Sequence, residues 1–114
     1  MRPTRFYSKQ QERAVAKAVK GKVTANSGAT AFSKGDVRTR LFLLECKTCT
    51  REQKSFTLQR DWFDKNKEEA FAMHKPYSAL AFNFGDGENL YVIDEHLFQY
   101  LVETLEGEQN DEQG

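Results

Sequence analysis

The stretch GDVRTRLFLLECKT, residues Gly35 to Thr48, decides how the chain folds. Its run LFLLEC is apolar at almost every position, the pattern of a strand covered on both faces. Asp36 and Val37 are expected to enter one strand, Arg38 to Arg40 to make a tight turn or bulge, and Leu41 to Lys47 to form the next strand. Alternate side chains of a strand share a face, so Glu45 and Lys47 project together, about 7 Å apart. If the two strands pair as a hairpin, the carboxylate of Asp36 comes beside Glu45. Two carboxylates that converge repel each other unless a divalent cation shares them. A hard cation such as Mg²⁺ prefers oxygen ligands and keeps several waters, one of which is then available to attack a phosphodiester. Lys47 is placed to orient or deprotonate that water, or to stabilise the phosphate as charge builds on it.

Outward from this stretch the pattern is α/β, a small mixed β-sheet flanked by helices. A helix is expected from about Ser8, as N-cap, to Lys20, with Ala14, Val15, Ala18 and Val19 at helical spacing and Gly21 as the stop. A short strand from Lys22 to Ala25 leads into the turn-rich loop NSGATAFSKG. Thr57 to His74 reads as a helix broken by Pro76, Tyr77 to Phe84 as a strand, GDG as a turn and Leu90 to Ile93 as another strand. Asp94 then caps a closing helix with Leu97, Phe98, Leu101, Val102 and Leu105 on one face. No internal repeat or linker divides the chain, so residues 1–106 are expected to form a single domain and the acidic residues 107–114 a disordered tail.

The 114 residues carry no formal net charge, which argues against a simple polycation, but the charge is unevenly spread. Residues 1–60 hold fourteen Lys or Arg against four acids, a net +10, and residues 61–114 hold three Lys against thirteen acids, a net −10. The split is expected to give one basic face for a polyanion, unless the two halves interleave and pair their charges. Arg5, Lys9, Arg13, Lys34, Arg38, Arg40, Arg51 and Lys54 flank the hairpin in sequence and are the expected phosphate contacts. No apolar run approaches the length of a membrane span, and the N-terminus lacks the apolar core of a signal peptide. The expected location is the cytoplasm, that of a host if the chain is phage-encoded, where Cys46 and Cys49 stay reduced.

Asp36, eight residues, Glu45, one residue and Lys47 is the arrangement that PD-(D/E)xK nucleases carry on their central hairpin, and the chain resembles them. Gly35 stands where the family name has Pro, a departure that leaves the ligand Asp36 in place. With Glu12 in the first helix and Ser27-Gly28-Ala29 in the following loop, residues 8 to about 94 look like the archaeal and phage type of Holliday junction resolvase. The resemblance implies a restriction-endonuclease-like core. It implies Glu12, Asp36, Glu45 and the main-chain oxygen of Cys46 at Mg²⁺ or Mn²⁺, Lys47 as base or stabiliser, and Ser27 assisting at the phosphate. It also implies a homodimer that cuts two strands of a four-way DNA junction.

Plainer readings stand beside these. Glu12 also suits a solvated helix carboxylate, Asp36 and Ser27 suit turns, and Glu45 with Lys47 suits an ion pair. The C-x-x-C of Cys46 and Cys49 lacks the paired histidines of a structural zinc site and the helix N-terminus of a thioredoxin-like one. Trp62 is expected to pack, although it, Phe6, Tyr7 and Phe32 could stack on bases. The alternative functions are a nuclease of the same fold acting on duplex or single-stranded DNA, and a non-catalytic DNA-binding module.

Overall fold

The computed structural model describes residues 4–24 and 36–113, with side chains for 6–24 and 36–108. Helix α1 (Thr4–Val19) leads through strand β1 (Lys22–Val23) to the hairpin β2 (Asp36–Arg38) and β3 (Phe42–Thr48). Helix α2 (Arg60–Ala72) connects β3 to β4 (Tyr77–Asn83), and β5 (Leu90–Val92) precedes the last helix, α3 (Glu95–Gln113). The five strands lie in sequence order, antiparallel throughout except for the parallel pair β3 and β4. A parallel pair needs a crossover, and α2 supplies it.

This mixed sheet between helices is the expected α/β class, and β3 is its central strand. On one face α1 packs over β2 and β3, burying Val15, Val37, Leu44, Ala79 and Ala81, with Phe42 and Cys46 packed beside them. On the other face α2 covers β3 and β4, where Leu43, Leu80 and Ala70 are buried. The period-2 alternation of β3 therefore sends Phe42, Leu44 and Cys46 toward α1 and Leu43, Glu45 and Lys47 toward α2.

Buried amides tie both helices to the sheet. From α1, Gln11 Nε2 donates to the carbonyls of Lys47 (2.8 Å) and Ala81 (3.1 Å) and to Asn89 Oδ1 (3.1 Å). From α2, Asn66 Nδ2 donates to the carbonyl of Ala79 (2.9 Å). Each amide thus grips main chain in the centre of the sheet, where an unpaired polar group would be costly.

The helix ends differ from expectation for local reasons. α1 starts at Thr4, one turn before Ser8, which sits half-buried inside the helix. It ends with Lys20 at φ 55° and a bond from Gly21 N–H to the Ala16 carbonyl, a left-handed cap that satisfies the last turn. α2 begins at Arg60, not Thr57, because the preceding segment is drawn along β4. Gln53 N–H bonds the Phe84 carbonyl, and Phe56 packs on Phe82 and Phe84. The expected loop with Ser27 and Lys34, and the strand end at Ala25, lie outside the described residues.

Asp94 caps α3 as expected, accepting from Leu97 N–H at 2.9 Å and pairing with Lys67 Nζ at 2.6 Å. The rest of α3 corrects the sequence reading. The helix does not close the core: Leu97 is buried, whereas Phe98, Leu101, Val102 and Leu105 are exposed. It also continues past Gly107 to Gln113, where a structureless tail was expected. Among the described residues, no helix is long and apolar enough to cross a membrane.

The GDG turn between β4 and β5 places Gly85 at φ 88° and Gly87 at φ 85°. A Cβ on Gly85 would collide with the Arg51 carbonyl, whereas one on Gly87 would meet open space. Gly87→Ala therefore incurs only the backbone penalty, about 1 kcal/mol, and Gly85→Ala should cost about 1–3 kcal/mol more. Thermal unfolding of the two variants checks this; equal losses would contradict the close packing of the turn on Arg51.

Candidate active site

The turn of the β2–β3 hairpin brings the two carboxylates together. Thr39 N–H bonds the Phe42 carbonyl (3.0 Å), and Thr39 Oγ1 accepts from Phe42 N–H (3.0 Å), so the strands reverse between Arg38 and Phe42 without a longer loop. The resulting register places Asp36 directly opposite Glu45. Side chains so paired share a face, with Cβ atoms about 5 Å apart. The expected convergence of Asp36 and Glu45 is therefore present.

Both groups are poorly solvated. Asp36 is 3% exposed, and Asp36 Oδ1 and Glu45 Oε2 are buried with no hydrogen-bond partner among the described residues. Burial first, then the negative charges of Glu69 and Glu45, push the Asp36 carboxyl from its ordinary 3.8 up to about 8. At neutral pH it keeps its proton and donates to Glu69 of α2. Burial also raises Glu45, opposed chiefly by the neighbouring Lys47.

Lys47 sits on the same face, two residues along. Its Nζ lies 3.7 Å from Glu45 Oε1 and 4.5 Å from the centroid of Trp62, so an ion pair and a cation–π contact fix the ammonium. Trp62 packs on Phe56, as part of the aromatic cluster with Phe82 and Phe84. Packing was the expected role for Trp62; positioning Lys47 was not foreseen.

Glu12 stands apart from the pair. Burial raises its carboxyl against the pull of Lys9 and Arg13. Its charge is the first felt by Cys46 after burial, but the last of those acting on Asp36. Among the described residues, no three Asp, Glu, His or Cys side chains come together as a metal-ligand group, so Glu12, Asp36 and Glu45 do not form one. The Cys46 thiol is pushed up to about 12 by burial and by Glu12, Asp36 and Glu45, which leaves it neutral and unreactive. Cys46 and Cys49 are free cysteines, with Cys46 mid-strand as expected.

Lys9 and Arg13 on α1, Arg38 on β2, Arg40 in the hairpin turn, and Arg51 and Lys54 before α2 are all exposed. They occupy several elements rather than one stripe. The side chain of Arg5, and Ser27 and Lys34 entirely, lie outside the described residues. Sequence reasoning missed Glu69, Gln11 and Asn66. Glu69 falls within the helical run EEAFA, one of two adjacent glutamates, and the side of the helix each would face was not read.

Comparison with known proteins finds no family model, curated protein or solved structure that matches the chain.

The Asp36 carboxyl makes stability depend on pH with a definite sign. Its pKa is higher in the folded chain than in the unfolded one, so the folded state holds a proton that unfolding releases. Stability from this group is complete below about pH 4 and is lost as pH rises through about 8. Asp36→Asn removes that loss. The variant should match wild type near pH 4 and exceed it by about 2–4 kcal/mol at pH 9 without divalent ions. Denaturant titrations across this range check it; a wild type that stays as stable as the variant at pH 9 would contradict the buried, protonated carboxyl.

Proposed function

We propose that the chain is a metal-dependent endonuclease of the PD-(D/E)xK kind, with a restriction-endonuclease-like core, that resolves branched DNA by paired phosphodiester cleavage. The carrying observation is the register that sets Asp36 against Glu45, with an unpartnered buried oxygen on each. Two such oxygens fit a hard cation such as Mg²⁺ or Mn²⁺, which prefers carboxylate ligands. Asp36, Glu45 and the main-chain oxygen of Cys46 would hold it. When bound, such an ion supplies Lewis acidity toward a phosphoryl oxygen and lowers the pKa of a bound water.

The chain's own groups do the remaining work. Asp36 would give up its proton to ligate such an ion, because a cation would reverse the balance of charge that raises its carboxyl. Glu69 accepts a hydrogen bond from Asp36 while Asp36 is protonated, and that bond would be lost when Asp36 ionises. Lys47, held by Glu45 and Trp62, presents a fixed positive charge where negative charge grows on the phosphate. Exposed Lys9, Arg13, Arg38, Arg40, Arg51 and Lys54 would contact phosphates without reading bases. Glu12 and Ser27 keep supporting roles in this proposal. A four-way junction is the preferred substrate on the resemblance of Glu12, the Ser27 loop and the hairpin motif.

The test uses labelled four-way junction, matched duplex and single strand, each in Mg²⁺ or EDTA. Wild type should leave paired nicks in the junction alone, in Mg²⁺ alone. Glu45→Ala should slow cleavage at least about 100-fold while still binding the junction. Cleavage of all three substrates would remove the junction preference and keep the nuclease. Binding without cleavage would replace the enzyme with a DNA-binding module.

A further inference from the structure

We infer that two copies of the chain pair by reciprocal exchange, the α3 helix of each lying in an apolar groove on the sheet of the other. This does not rest on the nuclease reading. Among the described residues, α3 packs on the rest of the chain chiefly through buried Leu97 near its start. The 19-residue helix is about 28 Å long. Phe98, Leu101, Val102 and Leu105 recur at i, i+3, i+4 and i+7 along it, and all four are exposed, Leu105 at 60%. Such a stripe normally faces a core.

The matching vacancy is on the α1 face of the sheet. Past the end of α1, a groove of about 480 Å³ is lined by Val19, Leu41, Phe42, Tyr91 and Ile93, with Arg40 beside them. Among the described residues, it is an uncovered part of a sheet face that elsewhere lies beneath α1. The chain's own α3 is held away from it. The Asp94 cap, the Lys67 ion pair and buried Leu97 fix the direction in which α3 leaves, although the groove residue Ile93 is only two positions earlier. Folding back would break all three anchors.

Charge selects the occupant. From Glu95 to Glu108 the helix carries four glutamates and no Lys or Arg, so two α3 helices laid against each other would bring like charges together. The groove instead has Arg40 in its wall and exposed Lys20 next to Val19. An acidic amphipathic helix fits a basic-rimmed apolar groove, and the opposite charges of the two halves of the chain become complementary between copies. A two-fold pairing uses both helices and both grooves, which suits the 1,200–2,000 Å² or so that stable interfaces bury.

Sedimentation equilibrium of the full chain at about 50 µM should give a dimer. Leu101→Glu with Leu105→Glu, and separately Leu41→Glu with Tyr91→Glu, should each raise the dimer Kd at least about 100-fold. These side chains are exposed in the single chain, so circular dichroism should remain that of wild type. An equimolar mixture of the two variants retains one intact helix and one intact groove, and should form a heterodimer weaker than wild type but tighter than either variant alone. A monomeric wild type, a dimer insensitive to the groove substitutions, or a mixture that fails to pair would each overturn the inference. If the groove variant does not fold, cross-linking Leu41→Cys in one chain to Leu101→Cys in another decides it: a mixed disulfide upholds the exchange, and only Leu101→Cys self-pairs refute it.

Discussion

The β2–β3 pairing that sets Asp36 against Glu45 is the constraint on which the account depends. Strand registers have a period of two, so a slip of one residue would turn Asp36 away from Glu45 and Val37 out of the α1 core. Two local features hold the register. Thr39 closes the hairpin with both its main chain and its hydroxyl, and Val37 and Leu44 are buried on the opposite face from the carboxylates. Apolar packing on one side of the hairpin thereby enforces a polar juxtaposition on the other that would not form unaided.

That juxtaposition is costly for the isolated chain. Asp36 answers by keeping its proton, and Glu45 by pairing with Lys47. Around them α2 contributes Glu69 to hold Asp36 and Trp62 to hold Lys47. The centre of the sheet is meanwhile made rigid by Gln11 and Asn66, which clamp it from its two faces. A cation shared by Asp36 and Glu45 would have to displace the proton that Asp36 holds and compete with Lys47 for Glu45.

The hairpin was legible in the sequence because its signals are local. The apolar run from Leu41 to Leu44, the polar residues Arg38 to Arg40, of which Arg38 ends β2 and the others turn, and the alternation through Glu45 and Lys47 all lie within fourteen residues. The helix between β3 and β4 was legible too, but no local signal named the parallel pairing that it permits. Contributions from distant helices were not legible. Gln11, Asn66 and Glu69 look like solvated helix positions until the angle at which each helix meets the sheet is known. α3 shows the complementary failure. Its apolar stripe was plain from periodicity, but periodicity says only that a face must be covered, not whether its own sheet or another surface covers it.

The most direct test of the carboxylate pair is calorimetric titration with Mn²⁺ at pH 7, in two buffers of different ionisation enthalpy. The account predicts one site per chain and release of a proton, seen as a heat that changes with the buffer, because Asp36 is protonated before binding. It also predicts that Asp36→Asn loses both the site and the proton. No uptake, or uptake that is buffer-independent and survives Asp36→Asn, would contradict it.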